Sequence, residues 1–114
     1  MGERKASDRA RHPGSVTRTL RNLKAAREEF TAAIRWYEEQ RPGLGGEFFD
    51  AVSHATALIQ AQPEVGTLSR DRRTRRVLVQ RFPYEVVYRL SEEEIVIVAI
   101  AHLKRRPGYW KKRP

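Results

Sequence analysis

The densest set of residues that could do chemistry is a run of arginines in the second half of the chain. It contains Arg72, Arg73, Arg75, Arg76 and Arg81. Guanidinium groups bind phosphates through paired hydrogen bonds, so these side chains could contact nucleic acid. In an extended strand, Arg73, Arg75 and Arg81 share one face, and Arg72 and Arg76 share the other. Alternatively, the charges only keep an edge strand from pairing with other chains.

His102 is the histidine whose position best suits proton transfer. It follows an apolar run, and a basic tail begins shortly after it at Lys104. By strict alternation, its side chain lies on the face of Val96, Val98 and Ile100. An imidazole beside cations could donate or accept a proton near neutral pH. It could also close a hydrophobic layer, and packing is the favoured interpretation.

The basic tail carries two aromatic residues, Tyr109 and Trp110, among its cations. Aromatic rings between cations can stack on nucleic-acid bases. They can equally fix the tail on the domain by burying apolar surface, and the sequence leaves both interpretations open. The candidate contacts to nucleic acid or to another target are therefore Arg72, Arg73, Arg75, Lys104, Arg105 and Arg106.

The charge distribution supports an anionic partner. The chain of 114 residues has 23 lysines and arginines against 14 acidic residues, and a formal net charge of +9 at pH 7. The positive excess lies in three blocks, residues 1–25, 70–81 and 103–114, with mildly acidic segments between them. Nucleic acid, an acidic protein segment or an anionic membrane surface would suit such blocks, whereas a surface charged only for solubility is the alternative.

Composition excludes several other classes of chemistry. The chain has no cysteine, so disulfides, thiolate metal sites and thiol nucleophiles are absent, as fits a cytoplasmic protein. It has no glycine-rich phosphate loop and no pair of histidines at metal-binding spacing, so neither a cofactor nor a metal is predicted. No apolar run approaches the roughly 20 residues that a membrane span needs, so no membrane partner is expected.

Two helices are predicted in the first half of the chain. Apolar residues recur at spacings of three and four from Lys24 to Gln40, and again from Leu44 to Gln62. Pro42 and the glycine after it separate the two patterns, because proline ends a helix and glycine allows a turn. So short a connection predicts an antiparallel helical hairpin.

The remaining apolar patterns predict strands. Residues 16–22 alternate loosely and favour a short edge strand, and residues 84–90 alternate clearly. Residues 76–81 form a further strand, and residues 95–101 are apolar on both faces, as in a covered central strand. The prediction is a small two-layer α+β domain, β-α-α-β-β-β, with the helical hairpin packed on an antiparallel sheet. Residues 1–15 are expected to be a flexible basic extension, and residues 16–114 a single domain.

Three stretches give the sequence a family resemblance. They are WYEEQRPGLG from Trp36, RFPYEVVYR from Arg81 and AHLKRRPGYW from Ala101. With them, the chain from about Thr17 to Trp110 resembles the RelE/ParE superfamily of type II toxin–antitoxin toxins, and most of all its ParE and plasmid-stabilisation branch. The resemblance implies a bacterial growth-inhibiting toxin that a cognate antitoxin holds inactive in a hetero-oligomer.

The resemblance implies one of two mechanisms. ParE-like members inhibit DNA gyrase, and this mechanism is favoured here because no acidic general base stands at a matching place. RelE-like members cleave mRNA in the ribosome without a metal, through arginine, lysine and tyrosine or histidine side chains. For that chemistry the candidate catalytic residues are Arg76, Arg81, His102 and Tyr109. A non-toxic basic protein that binds nucleic acid is a third possibility.

Both toxin mechanisms imply an antitoxin groove. It is expected where the free faces of the two helices meet the edge strand near Val16 to Leu20. Tyr37 continues the apolar stripe of the first helix and should lie in the core, whereas Trp36 points about 100° away. Trp36 is therefore predicted to be an exposed anchor for the antitoxin, together with Leu20 and Val16.

Overall fold

Two helices cover one face of a five-stranded sheet in the computed structural model, which describes residues 18–114. The extension predicted over residues 1–15 and the predicted antitoxin contact Val16 lie outside these residues. The elements in chain order are β1 (Thr19–Asn22), α1 (Lys24–Gln40), α2 (Leu44–Ala61), β2 (Thr67–Leu68), β3 (Arg75–Leu78), β4 (Tyr84–Leu90) and β5 (Glu94–His102).

The predicted α+β class and the order β-α-α-β-β-β are confirmed, with the two-residue strand β2 as an addition. The strands lie in the order β1-β5-β4-β3-β2. Strand β1 pairs with β5 in parallel, and the other pairs are antiparallel. The sheet is therefore mixed and not wholly antiparallel as predicted. The extra strand β2 is antiparallel to β3, so the chain reverses direction once more before β5. Strand β5 therefore runs parallel to β1 instead of antiparallel.

The turn between the helices depends on one carboxylate and two glycines. Gly43 has a φ of 92°, a left-handed conformation that favours glycine. The Glu38 carboxylate accepts the main-chain N–H groups of Gly43 at 2.9 Å and Gly45 at 3.0 Å. These bonds satisfy donors at the start of α2, which have no partner within the helix. The helices approach so closely that a Cβ on Gly45 would lie 2.7 Å from the carbonyl oxygen of Ile34.

The main core lies between the helices and the sheet. Phe48 and Ile59 of α2 are fully buried, and so are Val86 and Tyr88 of β4. Tyr37 is 9% exposed, so its prediction as a core residue is confirmed. The Tyr88 hydroxyl donates to the carbonyl of Pro63 at 2.6 Å, which ties the connection after α2 to the sheet.

A second, smaller core covers the opposite face of the sheet, here called the outer face. Trp110 is 8% exposed and packs there with Val87, Val96 and Val98. The strand predicted over residues 95–101 is therefore covered on both faces. Most of this cover comes from the C-terminal segment after β5. The segment stabilises the fold because burying a tryptophan removes a large apolar surface from water.

A β-bulge in β5 changes which residues share a face. Val87 pairs with Ala99 and Tyr88 with Ile97, so Val98 has no opposite residue. Both Val98 and Ala99 belong to the outer core, and the alternation is shifted by one residue beyond them. His102 therefore lies opposite Tyr84 on the helix side of the sheet. The predicted common face of His102 with Val96 and Val98 is wrong.

The predicted alternation of the arginines is also wrong. Strand β3 covers only Arg75–Leu78, so Arg73 and Arg81 are not strand neighbours of Arg75. Arg72 and Arg81 lie in turns, with φ values of 63° and 73°. Two turns therefore flank a strand of four residues, and period-two reasoning applies only within that strand. No helix of residues 18–114 is long and apolar enough to cross a membrane.

Candidate functional site

The helical hairpin exposes a large aromatic residue in the position that was predicted from the sequence. Trp36 is 55% exposed, and its ring meets the edge of the Tyr37 ring at a centroid distance of 5.1 Å. A buried neighbour therefore supports the indole while most of its surface faces solvent. This geometry suits an anchor for a protein partner, and the antitoxin contact itself stays a prediction.

A second aromatic residue of the hairpin was missed from the sequence. Phe49 is 48% exposed and stacks on Phe30 at 5.6 Å. It borders a groove of about 460 Å³ between the helices, whose floor includes Val52 and Ile100. The signal was the pair of phenylalanines in α2, because only Phe48 can follow the buried stripe and the next side chain must turn outward.

Leu20 lies in the edge strand β1, as predicted. Its side chain is half-buried and packs against the main core. Among the strands of residues 18–114, β1 lies at the edge of the sheet, so its main chain is unpaired on one side. An edge strand can accept a further strand from a partner. The contribution expected from Leu20 is therefore main-chain pairing more than side-chain contact.

Arg81 joins the turn before β4 to the second helix. Its guanidinium donates to a carboxylate oxygen of Glu47 at 2.7 Å, and Arg41 lies 3.4 Å from the other oxygen. The hydrogen bond from Arg81 is the largest cause that lowers the pKa of Glu47, followed by the charge of Arg41. Arg81 is thus held by an acid and does not lie on the strand that the sequence predicted.

Arg76 occupies the outer face of β3. Its guanidinium lies 3.5 Å from the carboxylate of Glu85 on β4. Burial raises the pKa of Glu85, and the charge of Arg76 opposes that rise. The partner of Arg76 is therefore a strand neighbour on the sheet.

His102 ends β5 beside an aromatic ring. Its Nδ1 accepts the main-chain N–H of Lys104 at 3.0 Å, and its ring lies edge-on to Tyr84 at 5.0 Å. With Nδ1 as an acceptor, neutral His102 carries its proton on Nε2. The side chain is half-buried against Tyr84, and among residues 18–114 no hydrogen bond reaches its Nε2.

Within residues 18–114, the carboxylate of Glu29 on α1 is the side-chain group with the most polar partners. It accepts the Tyr109 hydroxyl at 2.7 Å and the main-chain N–H of Ile100 at 3.0 Å. It also pairs with Arg113 at 2.9 Å, and the guanidinium of Arg105 stacks on the Tyr109 ring at 3.8 Å. The Arg113 guanidinium also donates to the carbonyl of Val98, so the cluster occupies the β5 edge that β1 does not cover. We call these side chains, Glu29, Tyr109 and Arg113, the tail clasp.

The tail clasp decides between the two interpretations of the aromatic tail. Burial is the largest cause that raises the pKa of Tyr109, and the hydrogen bond to Glu29 raises it further. The Tyr109 hydroxyl therefore stays protonated and donates a hydrogen bond to Glu29. Trp110 is buried on the outer face, so both aromatic residues fix the tail on the domain.

The four candidate catalytic residues have separate partners. Arg81 pairs with Glu47, Arg76 with Glu85, and Tyr109 with Glu29. His102 contacts Tyr84, and within residues 18–114 no hydrogen bond, ion pair or ring contact joins any two of the four candidates. In the described part of the chain, no group of three acidic or histidine side chains is placed to hold a metal ion.

The six candidate target contacts fall into two kinds. Arg75 donates to the carbonyls of Glu64 and Gly66, and Arg105 stacks on Tyr109, so both have structural partners. The remaining four are exposed and project from the loop before β3 or from the tail: Arg72, Arg73, Lys104 and Arg106.

A loop with internal hydrogen bonds presents Arg72 and Arg73. The Asp71 carboxylate accepts the Ser69 hydroxyl at 2.6 Å and the main-chain N–H of Arg73 at 3.0 Å. The bond from Ser69 is the largest cause that lowers the pKa of Asp71. A short acceptor side chain that binds the main chain two residues on is a common turn device, which the Ser-Arg-Asp sequence could have indicated.

The chain belongs to the family of ParE toxins of type II toxin–antitoxin systems of the parDE kind, whose model matches residues 20–107. The resemblance drawn from the sequence is therefore confirmed.

A solved structure from the chromosomal ParDE toxin–antitoxin system of P. aeruginosa has a similar fold. It matches with a TM-score of 0.68 and 19% sequence identity, over 77% of this chain and 98% of that chain. No curated protein matches the chain at significant similarity.

Proposed function

We propose that this chain stops growth by binding DNA gyrase, and that a cognate antitoxin neutralises it. The observation that carries the proposal is that the four candidate nuclease residues have separate structural partners. General acid–base catalysis needs groups that reach the same reacting atoms. Membership of the ParE toxin family supports the same mechanism.

The antitoxin occupies the helical hairpin in this proposal. Trp36 and Phe49 are the two largest exposed aromatic side chains there, and each is supported by a second ring. Rigid aromatic side chains on a supported surface are typical anchors of protein interfaces. An antitoxin segment that fills the groove and extends beside β1 would contact Phe49 and the strand edge. Trp36 does not line the groove and would be a separate anchor in the toxin–antitoxin hetero-oligomer.

The hairpin site can be tested by affinity measurements on the purified complex. Trp36→Ala and Phe49→Ala should each weaken antitoxin binding by about 2 kcal/mol, roughly thirtyfold. Leu78→Ala is the matched control, because Leu78 is 65% exposed but lies on the outer face. Equal affinities for all three variants would show that the antitoxin binds elsewhere.

Ribosome-dependent mRNA cleavage is the second candidate function. It is favoured by one observation, that Arg81 and His102 lie at the same end of the sheet, beside Tyr84. In that mechanism the arginine would stabilise the charge on phosphate and the imidazole would move a proton. The Arg81→Ala, His102→Ala double variant should then lose toxicity.

The two mechanisms differ in cells that express the chain without its antitoxin. Under the gyrase proposal, growth stops, mRNA 5′ ends stay unchanged and the DNA-damage response rises. Ribosome-phased mRNA ends would instead establish cleavage and contradict the proposal. Harmless expression, with nucleic-acid binding that falls steeply with salt, would indicate the non-toxic binding protein.

A further inference from the structure

The outer face of the sheet carries a cationic surface that the proposed function does not use. Two adjoining depressions lie there and share Arg73 and Arg89 as lining residues. One is a cleft of about 140 Å³ with Val98 and Trp110 in its lining, and the other extends toward β1. We call the two depressions together the outer cleft.

Most charges of the outer cleft already have partners. Arg21 pairs with Glu94 at 3.2 Å, and Arg113 is held by Glu29 in the tail clasp. Arg89 donates to the main-chain oxygens of the last two residues. These contacts fix the positions of the guanidinium groups but leave the outer cleft with an excess of positive charge.

Two cations in the outer cleft have no such partner. Within residues 18–114, neither the guanidinium of Arg73 nor the ammonium of Lys111 makes an ion pair or a side-chain hydrogen bond. They project from different segments, the loop before β3 and the C-terminal tail, and both line the same cleft. Asp71 also lines the cleft, and one of its carboxylate oxygens accepts the Ser69 hydroxyl and the Arg73 main-chain N–H. The charges of Lys111 and Arg73 help to lower the pKa of Asp71, so this one acid offsets part of the local positive charge. Both cations are exposed and available to an anion.

We propose that the outer cleft binds the phosphodiester backbone of nucleic acid, with Arg73 and Lys111 as the contacts to phosphate. Arginine and lysine side chains are the usual hydrogen-bond donors to phosphate, and their binding to nucleic acid releases counterions. The proposal does not depend on gyrase as the target of the toxin.

The lining favours nucleic acid over an acidic peptide. Peptides bind through an open strand edge or through pockets for apolar anchors. The strands beneath the outer cleft, β4 and β5, are central in the sheet. On the part of β5 that β1 does not cover, the Val98 carbonyl and the Ile100 N–H are bonded to Arg113 and Glu29, so these groups are not open to a peptide. The large apolar residues of the floor are buried, with Trp110 at 8% and Val98 at 1% exposure. No exposed ring among the lining residues offers a stacking surface, so recognition concerns the backbone and not the bases.

The test measures binding of the purified full chain to short, mixed-sequence DNA duplexes and to single-stranded RNA by fluorescence anisotropy over a salt series. The Arg73→Ala, Lys111→Ala variant should bind at least about tenfold more weakly. The slope of log affinity against log salt should fall in magnitude by about two for duplex DNA. The Arg73→Lys, Lys111→Arg variant should keep both values close to those of the parent.

A matched control separates the outer cleft from diffuse charge. Lys24→Ala, Arg35→Ala removes the same charge from the exposed face of α1 and should change affinity by less than about twofold. Thermal melting of every variant checks folding. The two double-alanine variants, in the cleft and on α1, replace exposed side chains and should melt like the parent.

Equal losses in cleft and control variants would overturn the proposal, because the basic residues 1–17 or overall charge would then explain binding. Failure of the parent to bind either nucleic acid would overturn it too. The two probes identify the natural source: duplex preference indicates DNA, and single-strand preference indicates RNA. Gyrase inhibition is measured separately, so either proposal can fail while the other stands.

Discussion

Replacement of Glu29 by alanine should destabilise the protein far more than an ordinary surface change. The side chains of Glu29 and Arg113 are only 16% and 20% exposed, and their closest atoms lie 2.9 Å apart. The replacement leaves the Arg113 cation, the Tyr109 hydroxyl and the Ile100 N–H without their acceptor. Breaking a buried ion pair on one side costs about 3–5 kcal/mol. Partial exposure places the expected loss in unfolding free energy near the lower limit, about 3 kcal/mol.

Chemical denaturation of the variant, followed by circular dichroism, measures this loss directly. Glu28→Ala is the matched control, because Glu28 is 66% exposed and its only ion pair within residues 18–114 is to Lys24, at 4.0 Å. That control should change the unfolding free energy by less than about 0.5 kcal/mol. A double-mutant cycle of Glu29→Ala with Arg113→Ala should show a coupling above about 1 kcal/mol. Additive effects, or a Glu29→Ala loss as small as the control, would refute the tail clasp as a stabilising contact.

Three further predictions concern the helical turn, acid stability and Tyr109. Gly45→Ala should destabilise the protein by about 1–3 kcal/mol, because the new Cβ would meet the main chain of α1. A Cβ on Gly46 would meet nothing within 4 Å, so Gly46→Ala should stabilise α2. Thermal melting compares the two variants. Arg81 lowers the folded pKa of Glu47, so this contribution to stability is present above the unfolded pKa of about 4.3 and is lost as the pH falls through the folded pKa. The acid limb of a stability profile should therefore flatten in Arg81→Ala, and an unchanged limb would contradict the pairing. Tyr109→Phe should cost about 1 kcal/mol of stability yet leave growth arrest intact, and lost arrest in a folded variant would favour catalysis.

Much of the architecture could be predicted from the sequence. The apolar spacing before and after Pro42 and Gly43 predicted both helices, and the alternation of residues 84–90 predicted β4. Strand β2 was missed because two residues carry no periodicity. The face of His102 was wrong because residues 95–101 are apolar on both faces, so a bulge at Val98 leaves no trace in the pattern.

The candidate site was predicted less completely. Trp36 was predicted to be exposed because it lies off the apolar stripe of α1, and it is. The tail clasp joins residues about 80 positions apart in the chain, and no local pattern reports such a contact. Glu29 lies at helical spacing from the core residues Ala26 and Ala33, and a carboxylate in such a position can indicate a buried polar partner. The sequence does not show which cation is that partner.

Inhibition of purified DNA gyrase tests the central claim most directly. The full chain, titrated into a supercoiling reaction, should block supercoiling of plasmid DNA, and added antitoxin should restore it. The Arg81→Ala, His102→Ala double variant should inhibit as strongly as the parent, because those residues have structural partners in this account. Unimpaired supercoiling at concentrations of chain that arrest growth would contradict the claim and direct the search for the target to the ribosome.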